Sequence, residues 1–253
     1  MPNRPLRGIV HVHSRYSYDG KHALSEIALA ARERDLDFVC MTEHSDTLDP
    51  KKVSDFVKEC EALSSPEFLM IPGIEFTCDD NLHLLGIGVT RFDSAMDPVY
   101  LNQFIQENGG ISVVAHPFRK SYSSLSDLLP VVNGIEVWNC TYDGRFFPNT
   151  KALELYAKAI LSNHGLSAFC GMDLHRLSNF HRTFVCLEPC KVDEREVISF
   201  LRDGRFRGVS PWCEISARPS GRWIERSRLT AQRRAYLTAK KIRSFLFPNR
   251  VGD

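Results

Sequence analysis

Two histidines at the end of a short apolar run are the first residues in the chain that suggest chemistry. His11 and His13 lie two residues apart in the segment 8–14. Side chains alternate across a β-strand, so both imidazoles are expected on one face. Neutral imidazole is a common metal ligand, and two on one face can bind a single ion. A buried strand with two hydrogen-bonded histidines explains an isolated His-x-His equally well, so the rest of the chain decides.

More side chains that can bind a metal come where later apolar runs end. They are His44, Glu75, His116, Asp173 and His175. In barrels of alternating strands and helices, functional groups collect at the carboxyl ends of the strands. The sequence therefore predicts that these side chains converge with His11 and His13 on one rim and bind metal there.

His83 begins its apolar run instead of ending it. Asp79–Asn81, just before it, has the composition of a turn, so the strand of His83 is expected to run back beside the preceding strand. Thr77 then faces His83, and Glu75 lies one diagonal step away, about 7–8 Å between backbones. This register places His83 at the same rim.

Helical and strand patterns alternate along the chain. Apolar residues recur at helical spacing in the segments 23–34, 51–63, 98–108, 149–163 and 193–201. Apolar runs predict strands at 37–42, 68–77, 82–89, 111–115, 134–138, 167–172 and 183–187. The alternation indicates parallel βαβ units. The simplest fold is therefore one closed or nearly closed α/β barrel over residues 1–215.

Composition restricts the class of protein. The chain has 253 residues, of which 43% are hydrophobic and 25% charged, as in soluble globular proteins. No segment approaches the roughly 20 apolar residues of a membrane span, and the N-terminus lacks the apolar core of a secretory signal. The eight cysteines include no Cys-x-x-Cys pair, which is typical of reduced thiols. These features predict a cytoplasmic protein without a transmembrane segment.

The charge is divided unevenly, which predicts a body at 1–215 and a basic extension at 216–253. The extension has ten Lys and Arg against two Asp and Glu, a net +8; the whole chain carries +1, so the body carries −7. Residues 227–247 have a helical pattern with an imperfect apolar stripe. We expect this helix to pack on the body through Trp223, Tyr236, Phe245 and Phe247. The alternatives are an electrostatic guide for RNA and an attachment to anionic lipid.

Seven short motifs occur in a fixed order. They are His11-Val-His13, Ser17-Tyr-Asp19-Gly20, Thr42-Glu-His44, Gly73-Ile-Glu75, His83-Leu-Leu-Gly86, Ala115-His116-Pro117 and Asp173-Leu-His175. Together they resemble the PHP domain, named for polymerase and histidinol phosphatase, over about residues 8 to 187. The resemblance implies an α/β fold in which a distorted seven-stranded β/α barrel holds up to three metal ions.

The resemblance also implies which residues bind each ion. The ligand sets are His11, His13, Glu75 and Asp173 for one ion, Asp19, His44 and His175 for a second, and Glu75, His83 and His116 for a third. Imidazole and carboxylate ligands admit Zn²⁺, Mn²⁺ or Fe²⁺, so two to three divalent ions are the expected cofactors. Asp19 in its Ser-x-Asp-Gly context, and the Ala-His-Pro-x-Arg segment ending at Arg119, are similar to members that hydrolyse nucleotides and short RNA.

Clustered divalent ions suit phosphoester hydrolysis, because they lower the pKa of a bridging water to about 7 and stabilise both the attacking and the leaving oxygen. The expected function is therefore hydrolysis of a phosphate ester of a small metabolite or nucleotide. We expect Glu75, His175 and Arg119 to act in catalysis, with the planar guanidinium of Arg119 on the phosphate. Arg176 and Arg15 are weaker candidates for that role.

Other residues near the motifs are expected to orient ligands, and other functions remain open. Glu136 and Asn139 end a strand and are assigned to orienting ligand histidines; Glu43 and Asp46 flank His44 and are further candidates. One alternative function is an exonuclease that trims oligonucleotides, with the basic extension guiding the strand. The other is a non-catalytic PHP module that binds a partner, and the complete ligand set is evidence against it.

Overall fold

Short apolar runs become buried strands, and the segments of helical period become helices that cover them. The structure is a computed structural model and describes residues 4–219 and 223–246. Its strands and helices, in chain order, are β1 (Arg7–Val12), α1 (Leu24–Arg32), β2 (Phe38–Met41), β3 (Glu43–His44), α2 (Pro50–Leu63), β4 (Leu69–Ile71), β5 (Gly73–Thr77), β6 (His83–Ile87), α3 (Pro98–Glu107), β7 (Ile111–Val114), α4 (Leu125–Leu128), β8 (Gly134–Asn139), α5 (Thr150–Ala159), β9 (Ser167–Gly171), β10 (Phe184–Leu187), α6 (Glu194–Arg202), β11 (Phe206–Val209), β12 (Glu214–Ser216) and α7 (Trp223–Leu246).

The strands of the described residues form two six-stranded sheets, neither of which closes on itself. One sheet has the order β12-β11-β10-β1-β2-β4 and the other has β3-β5-β6-β7-β8-β9. The mixed α/β class agrees with the sequence prediction, whereas a single closed sheet of parallel strands is not observed. β6 is antiparallel to both of its neighbours, and β10 is antiparallel to β1. The hairpin between β5 and β6 reverses the chain direction, so β6 is antiparallel to β5 and also to β7, whereas β7 is parallel to β8.

Two segments predicted as single strands are each divided between the two sheets. The segment 37–42 gives β2 in one sheet and continues through Thr42 into β3 in the other. The segment 68–77 gives β4 and β5 on either side of Pro72. Proline has no backbone N–H and cannot donate in a sheet ladder, so the pairing changes partner there. The two sheets therefore adjoin where β3 and β5 begin.

The sheets also meet along β1. The amide of Met172, just after β9, donates to the carbonyl of Val10, and the amide of Leu174 donates to the carbonyl of His11. These bonds join the segment after β9, the edge strand of the second sheet, to β1 in the first sheet. The ends of β1, β3, β5 and β9 consequently face one shared region.

The hairpin register predicted from the turn is confirmed. Thr77 pairs with His83 and Glu75 pairs with Leu85 across β5 and β6. Glu75 and His83 are therefore diagonal neighbours on one face of the hairpin, as the three-residue turn required. A register slip of one residue would have moved His83 to the other face.

The helices begin and end at residues that explain their bounds. The side chain of Asp49 accepts a hydrogen bond from the amide of Lys52 at the start of α2, and Pro50 occupies its first turn. Both features favour a helix start. Val53, Phe56 and Cys60 form the buried face of α2, which follows the spacing seen in the sequence. All eight cysteines are free, in agreement with the expectation of reduced thiols.

The C-terminal helix lies against the body where its side chains are described. α7 spans 223–246, and Leu229 on it is buried. Tyr236 contacts the rings of Phe146, Phe147 and Trp212. Phe247 and the side chains of Trp223 and Phe245, which the sequence prediction used for docking, lie outside what the structure describes.

The expected division between body and extension at residue 215 falls inside β12, and it stays a prediction. No helix in the described part of the chain combines the length and the apolar composition that crossing a lipid bilayer requires.

Candidate metal centre

Glu75 lies at the centre of a cluster of histidines. Its Oε2 atom is 3.2 Å from Nε2 of His11, 3.2 Å from Nε2 of His13 and 3.2 Å from Nδ1 of His44. Its Oε1 atom is 2.6 Å from Nδ1 of His83 and 3.2 Å from Nε2 of His116. Five imidazoles thus surround one carboxylate. This is more than the roughly four lone-pair positions of its two oxygens can accept as hydrogen bonds.

The two remaining carboxylates of the predicted set complete the cluster. Asp173 Oδ1 is 3.6 Å from Nε2 of His11, 3.7 Å from Nε2 of His13 and 3.3 Å from Nδ1 of His175. Asp19 bridges two histidines, with Oδ1 at 3.4 Å from Nε2 of His44 and Oδ2 at 3.1 Å from Nε2 of His175. All nine residues predicted as ligands are therefore brought together. That they bind ions stays a prediction.

His11 enters the cluster through an irregularity of β1. Val10 pairs with Cys40 and Val12 pairs with Met41, so His11 is an extra residue in the strand, and its φ is 67°. Regular alternation was expected to carry His11 and His13 to the same face. That reason is wrong, because a β-bulge interrupts the alternation between them. The two imidazoles still meet, with ring centroids 5.1 Å apart.

Three of the predicted ligand residues have backbone conformations that L-residues rarely adopt. The φ angle is 67° at His11, 27° at His116 and 52° at Asp173. Such conformations cost of order 1–3 kcal/mol each and persist only where the surroundings impose them. They cluster at functional sites, so the strain supports the interpretation that these positions serve chemistry and not only folding.

Glu136 fixes the orientation of His11. Its Oε1 accepts a hydrogen bond from Nδ1 of His11 at 2.7 Å, and its Oε2 accepts from the amide of His116 at 2.8 Å and from Nδ2 of Asn139 at 3.0 Å. Asn139 also donates to Asp173 Oδ2 at 3.1 Å. Because Nδ1 of His11 donates to Glu136, its Nε2 is the nitrogen that faces Glu75 and that an ion would bind. The geometry agrees with the orienting roles predicted for Glu136 and Asn139.

Ser17 and Glu43 hold His13 in the same way. The Ser17 hydroxyl donates to Glu43 Oε2 at 2.6 Å and accepts from the amide of His44 at 2.9 Å. Nδ1 of His13 lies 3.2 Å from the same Ser17 oxygen. A serine hydroxyl has one proton, which goes to Glu43, so His13 must donate from Nδ1. Its Nε2 is then left unprotonated and points at Glu75 and Asp173.

The charges of the cluster favour a bound cation. Burial lowers the pKa of His11, but the carboxylates of Glu136, Asp173 and Glu75 outweigh burial and raise that pKa well above its ordinary value. Burial opposes ionisation of Glu75, yet neighbouring histidines, above all His11, hold its pKa well below the usual range. For His13 burial dominates and lowers the pKa to about 3. The carboxylates that stabilise a positive charge at His11 would equally stabilise a metal cation.

The residues present fit such ions. Nε2 of His13, Nδ1 of His44 and Nε2 of His175 are buried and make no well-aligned hydrogen bond among the described residues, although carboxylate oxygens lie 3.1–3.2 Å from them. An unpartnered buried polar atom costs about 1–3 kcal/mol, which coordination to a metal would remove. Potential ligand atoms lie within 4.8 Å of one another in four overlapping groups, namely His13, His44 and His175; His11, His13 and Asp173; His11, Glu75 and His116; and His44, Glu75 and His83.

The centre is open on one side. His11, His13, Glu75 and Asp173 are buried, whereas the side chain of Asp19 is 36% exposed and that of His175 is 23% exposed. A substrate can therefore reach the centre at the edge formed by Asp19 and His175.

The family model for the PHP domain matches residues 10–171. The chain belongs to the PHP domain family. This confirms the resemblance found in the sequence motifs. A probable histidinol-phosphatase of Thermotoga maritima is 26% identical to this PHP protein over 174 residues, which are 62% of this chain and 71% of the relative.

Solved structures similar to this PHP protein share its fold. A two-domain protein from Bacteroides vulgatus, described as containing a predicted PHP-like metal-dependent phosphoesterase, aligns with a TM-score of 0.64 at 18% identity, over 85% of this chain and 67% of that one. The lesion-specific endonuclease PfuEndoQ from Pyrococcus furiosus aligns with a TM-score of 0.57 at 18% identity, over 80% of this chain and 56% of that one. At these identities the likeness concerns the fold alone.

The arginines predicted to hold phosphate lie on the surface of the PHP domain. Arg119 is exposed, and its guanidinium carbon lies 5.4 Å from the ring centroid of Tyr142, which in turn is 5.1 Å from His116. Arg119 is thus close to the ligands without contacting them. Arg15 is engaged elsewhere, at 3.3 Å from Glu26. Arg176 is exposed, and the structure gives it no contact with the cluster in the described residues.

Sequence reasoning missed four residues of the PHP centre. Ser17 stands in a motif but received no role, although it links Glu43 to His13. Gly171 leaves space for Glu136, because a Cβ there would lie 1.7 Å from Glu136 Oε1. Tyr18 contacts the ring of His44, and Tyr142 contacts the ring of His116. The neighbouring motif residues were a signal for Ser17 and Tyr18, whereas Gly171 and Tyr142 carry no signal in a single sequence.

Proposed function

We propose that this PHP protein is a metal-dependent phosphoesterase that hydrolyses a phosphate ester of a small metabolite or nucleotide. The observation that carries the proposal is the convergence of nine ligand-type side chains around Glu75, with one side of the cluster open. The family membership supports it, since a relative is named a probable histidinol-phosphatase and a structural neighbour is described as a phosphoesterase. The proposed cofactors are two to three divalent ions, Zn²⁺, Mn²⁺ or Fe²⁺.

The residues proposed to hold the ions are the sets that the family resemblance implies; the groups of potential ligand atoms that lie close together combine eight of the same nine residues in other ways, without Asp19. His11, His13, Glu75 and Asp173 form one set, Asp19, His44 and His175 a second, and Glu75, His83 and His116 a third. Ions bound there would supply Lewis acidity toward a phosphate oxygen and would lower the pKa of a bound water to about 7. Glu75 belongs to two of these sets, since its Oε2 atom faces His11 and His13 and its Oε1 atom faces His83 and His116.

The other residues of the chain orient the ligands and the substrate. Glu136 and the Ser17–Glu43 pair hold the Nδ1 atoms of His11 and His13, so that the Nε2 atoms of both rings face Glu75, where they would bind an ion. Arg119 is proposed to bind the phosphate through its guanidinium, which makes no ion pair among the described residues. A charge-assisted bidentate contact of this kind suits the phosphoryl oxygens. Asp19 and His175 border the opening and would meet the substrate first.

The two sheets are proposed to form the distorted seven-stranded barrel of the family. Its strands would be β1, β2 with β3, β4 with β5, and then β6, β7, β8 and β9. The bonds from Met172 and Leu174 to β1 support this arrangement, because they join the last of these strands to the first.

A second candidate function is cleavage of an oligonucleotide. A structural neighbour is described as a lesion-specific endonuclease, and α7 presents exposed arginines, among them Arg228 and Arg234. Cations on one helix suit a phosphate backbone. A non-catalytic binding module is the third possibility, and the complete set of ligand residues opposes it.

One experiment separates these functions. The purified protein is analysed for metal, then assayed with phosphomonoesters, dinucleotides and short RNA, with Mn²⁺ or Zn²⁺ added and with chelator. We expect two to three ions per chain and metal-dependent hydrolysis of monoesters. Glu75→Ala is expected to abolish activity, while Glu61→Ala, at an exposed position on α2, serves as the matched control. Less than one ion per chain and no hydrolysis after metal addition would overturn the proposal, and preference for RNA would favour the nuclease.

A further inference from the structure

The loop that follows β8 is closed by the carboxylate of Asp143. This half-buried residue lies four positions after Asn139, at which β8 ends. Asp143 Oδ2 accepts a hydrogen bond from the backbone amide of Asn139 at 2.8 Å. The backbone amide of Asp143 donates in turn to the Asn139 carbonyl at 2.8 Å. Asp143 therefore holds a tight turn against the last residue of the strand.

The second oxygen of this carboxylate anchors the turn to the next helix. Asp143 Oδ1 accepts from Nδ2 of Asn149 at 2.6 Å. Asn149 is the N-cap of α5, where its Oδ1 accepts from the amide of Lys151 at 2.9 Å. Its own amide donates to the carbonyl of Val137 in β8 at 2.8 Å. Both oxygens of Asp143 thus accept from N–H groups, as an ionised carboxylate does, and they join the start of the loop to its end.

The turn fixes which way the side-chain amide of Asn139 points. Asn139 Oδ1 accepts from the backbone amides of Thr141 at 3.0 Å and Tyr142 at 3.1 Å. Its Nδ2 points to the other side, where it donates to Glu136 Oε2 at 3.0 Å and to Asp173 Oδ2 at 3.1 Å. A reversed amide would place its oxygen against two carboxylates and its N–H groups against two donors. Only one orientation of this amide therefore satisfies all of its neighbours.

The same turn also holds the backbone of Asp173. The hydroxyl of Thr141 donates to the carbonyl of Asp173 at 3.0 Å. The φ angle of Asp173 is 52°, a conformation that persists only where the surroundings impose it. The turn therefore contacts both the side chain and the backbone of one predicted ligand. Through Glu136 it also reaches His11, a second predicted ligand.

We propose that Asp143 is a positioning residue of the metal centre, which acts through the side-chain amide of Asn139. The proposal rests on the proposed metal-dependent function and deepens it. Loss of a bond at Asp143 would release the turn, and the amide would no longer be fixed against Glu136 and Asp173. The ligand set that contains Asp173 should then bind its ion more weakly.

The test exchanges the two side chains that pair in the loop. Asp143→Asn sets an NH₂ group against a donor, either the amide of Asn139 or Nδ2 of Asn149. Asn149→Asp places two carboxylates side by side, although it keeps a good helix start, because Asp and Asn are about equally favourable at an N-cap. In the double variant the amide at position 143 can accept from Asn139 and donate to the carboxylate at position 149. The pairing is then restored with its charge moved.

Metal affinity is measured on the full-length protein by competition for Zn²⁺ with a chromogenic chelator. Each single variant should bind Zn²⁺ about tenfold more weakly, at the low end of the effect of an outer partner, because Asp143 acts through one further residue. The double variant should recover most of this loss. The single variants should also need about tenfold more metal for half-maximal phosphoester hydrolysis, which a purely structural residue would not change.

Asp193→Ala is the matched control for a loss of stability. The carboxylate of Asp193 caps α6 by accepting from the amide of Glu196, so its removal should destabilise the fold. Thermal unfolding of the metal-free protein is recorded for every variant. The control should unfold at a lower temperature and yet bind Zn²⁺ like wild type.

Three results would overturn the role of Asp143 and leave the metal-dependent function intact. They are wild-type Zn²⁺ affinity in Asp143→Asn, an equal loss of affinity in Asp193→Ala, and a double variant that binds no better than the single ones. If Asp143→Asn does not fold, Asn149→Asp and the double variant provide the same comparison. Absence of Zn²⁺ binding by the wild type would reject the metal-dependent function, and the role of Asp143 with it.

Discussion

Glu136 Oε1 accepts a hydrogen bond of 2.7 Å from Nδ1 of His11, which lies 125 positions earlier in the chain. This bond decides which nitrogen of His11 faces Glu75. Both side chains are fully buried, so water cannot replace either partner. The bond therefore ties β8 of the second sheet to His11, the first of the predicted ligands, and it provides a direct test of how that imidazole is oriented.

Replacement of Glu136 by glutamine is expected to weaken metal binding. Glu136→Gln keeps the size of the side chain but removes the charge that favours the Nδ1–H tautomer of His11. Loss of an outer carboxylate partner typically lowers metal affinity or activity about 10- to 100-fold. The measurement is metal retained after dialysis against graded chelator, together with kcat/KM. Glu61→Gln is the control, and retention equal to wild type would contradict the role of Glu136.

Gly171→Ala is expected to reproduce this loss without touching a polar residue. A Cβ at this position would lie 1.7 Å from Oε1 and 2.7 Å from Cδ of Glu136. The carboxylate must then leave His11, and metal affinity should fall in the same range as in Glu136→Gln. The matched control is Gly165→Ala, where the nearest atom, Asn163 Oδ1, is 3.6 Å away. If Gly171→Ala binds metal like wild type, Glu136 has an alternative position.

Ser17→Ala tests the second orienting chain. The variant removes the hydroxyl that donates to Glu43 and accepts from His13 Nδ1 and the amide of His44. Buried groups that lose a hydrogen-bond partner cost about 1–3 kcal/mol, so the free energy of unfolding should fall by about that amount. Metal affinity should fall too, whereas Ser126→Ala, at an exposed serine on α4, should change neither. A stability loss without any loss of metal affinity would reduce Ser17 to a structural residue.

Arg119→Ala tests the proposed phosphate contact. If the guanidinium binds mainly the transition state, kcat/KM should fall by the equivalent of about 2–4 kcal/mol while metal content stays unchanged. Arg119→Lys should recover only part, because the planar fork is lost. Arg195→Ala on α6 is the control for the loss of a surface charge. Kinetics identical to wild type in Arg119→Ala would show that Arg119 is an ordinary surface residue.

Tyr236→Ala tests how the C-terminal helix is held. Its ring contacts Phe146, Phe147 and Trp212, so we expect a loss of about 1–2 kcal/mol in the free energy of unfolding. Leu237→Ala, at the next and largely exposed position, is the control.

The nucleic-acid alternative predicts instead that Arg228→Ala and Arg234→Ala flatten the dependence of RNA affinity on salt. Each lost contact should change that slope by about 0.7 for a single strand.

The sequence by itself determined the identity of the clustered residues. The ends of apolar runs pointed to His44, Glu75, His116 and Asp173, because strand ends in alternating α/β folds face one rim. The turn at Asp79–Asn81 also determined the pairing of Thr77 with His83. These features are local, so a short stretch of sequence carries the information. Most helices and strands were likewise predicted within a few residues of their bounds, for the same reason.

Only the tertiary structure decided how the strands are shared and how the ligands are aimed. The bulge at His11, the change of sheet at Pro72 and the bonds from Met172 to β1 depend on partners far away in the chain. The contacts of Glu136 with His11, and of Tyr142 with Arg119, likewise join segments that no local pattern connects. A buried polar atom takes its partner from whatever the whole fold brings near, since leaving it unpaired costs free energy. The sequence therefore indicates which residue types cluster. The tautomers of the histidines, the strained backbone at His11, His116 and Asp173, and the contacts of Tyr18 and Tyr142 depend on the assembled fold.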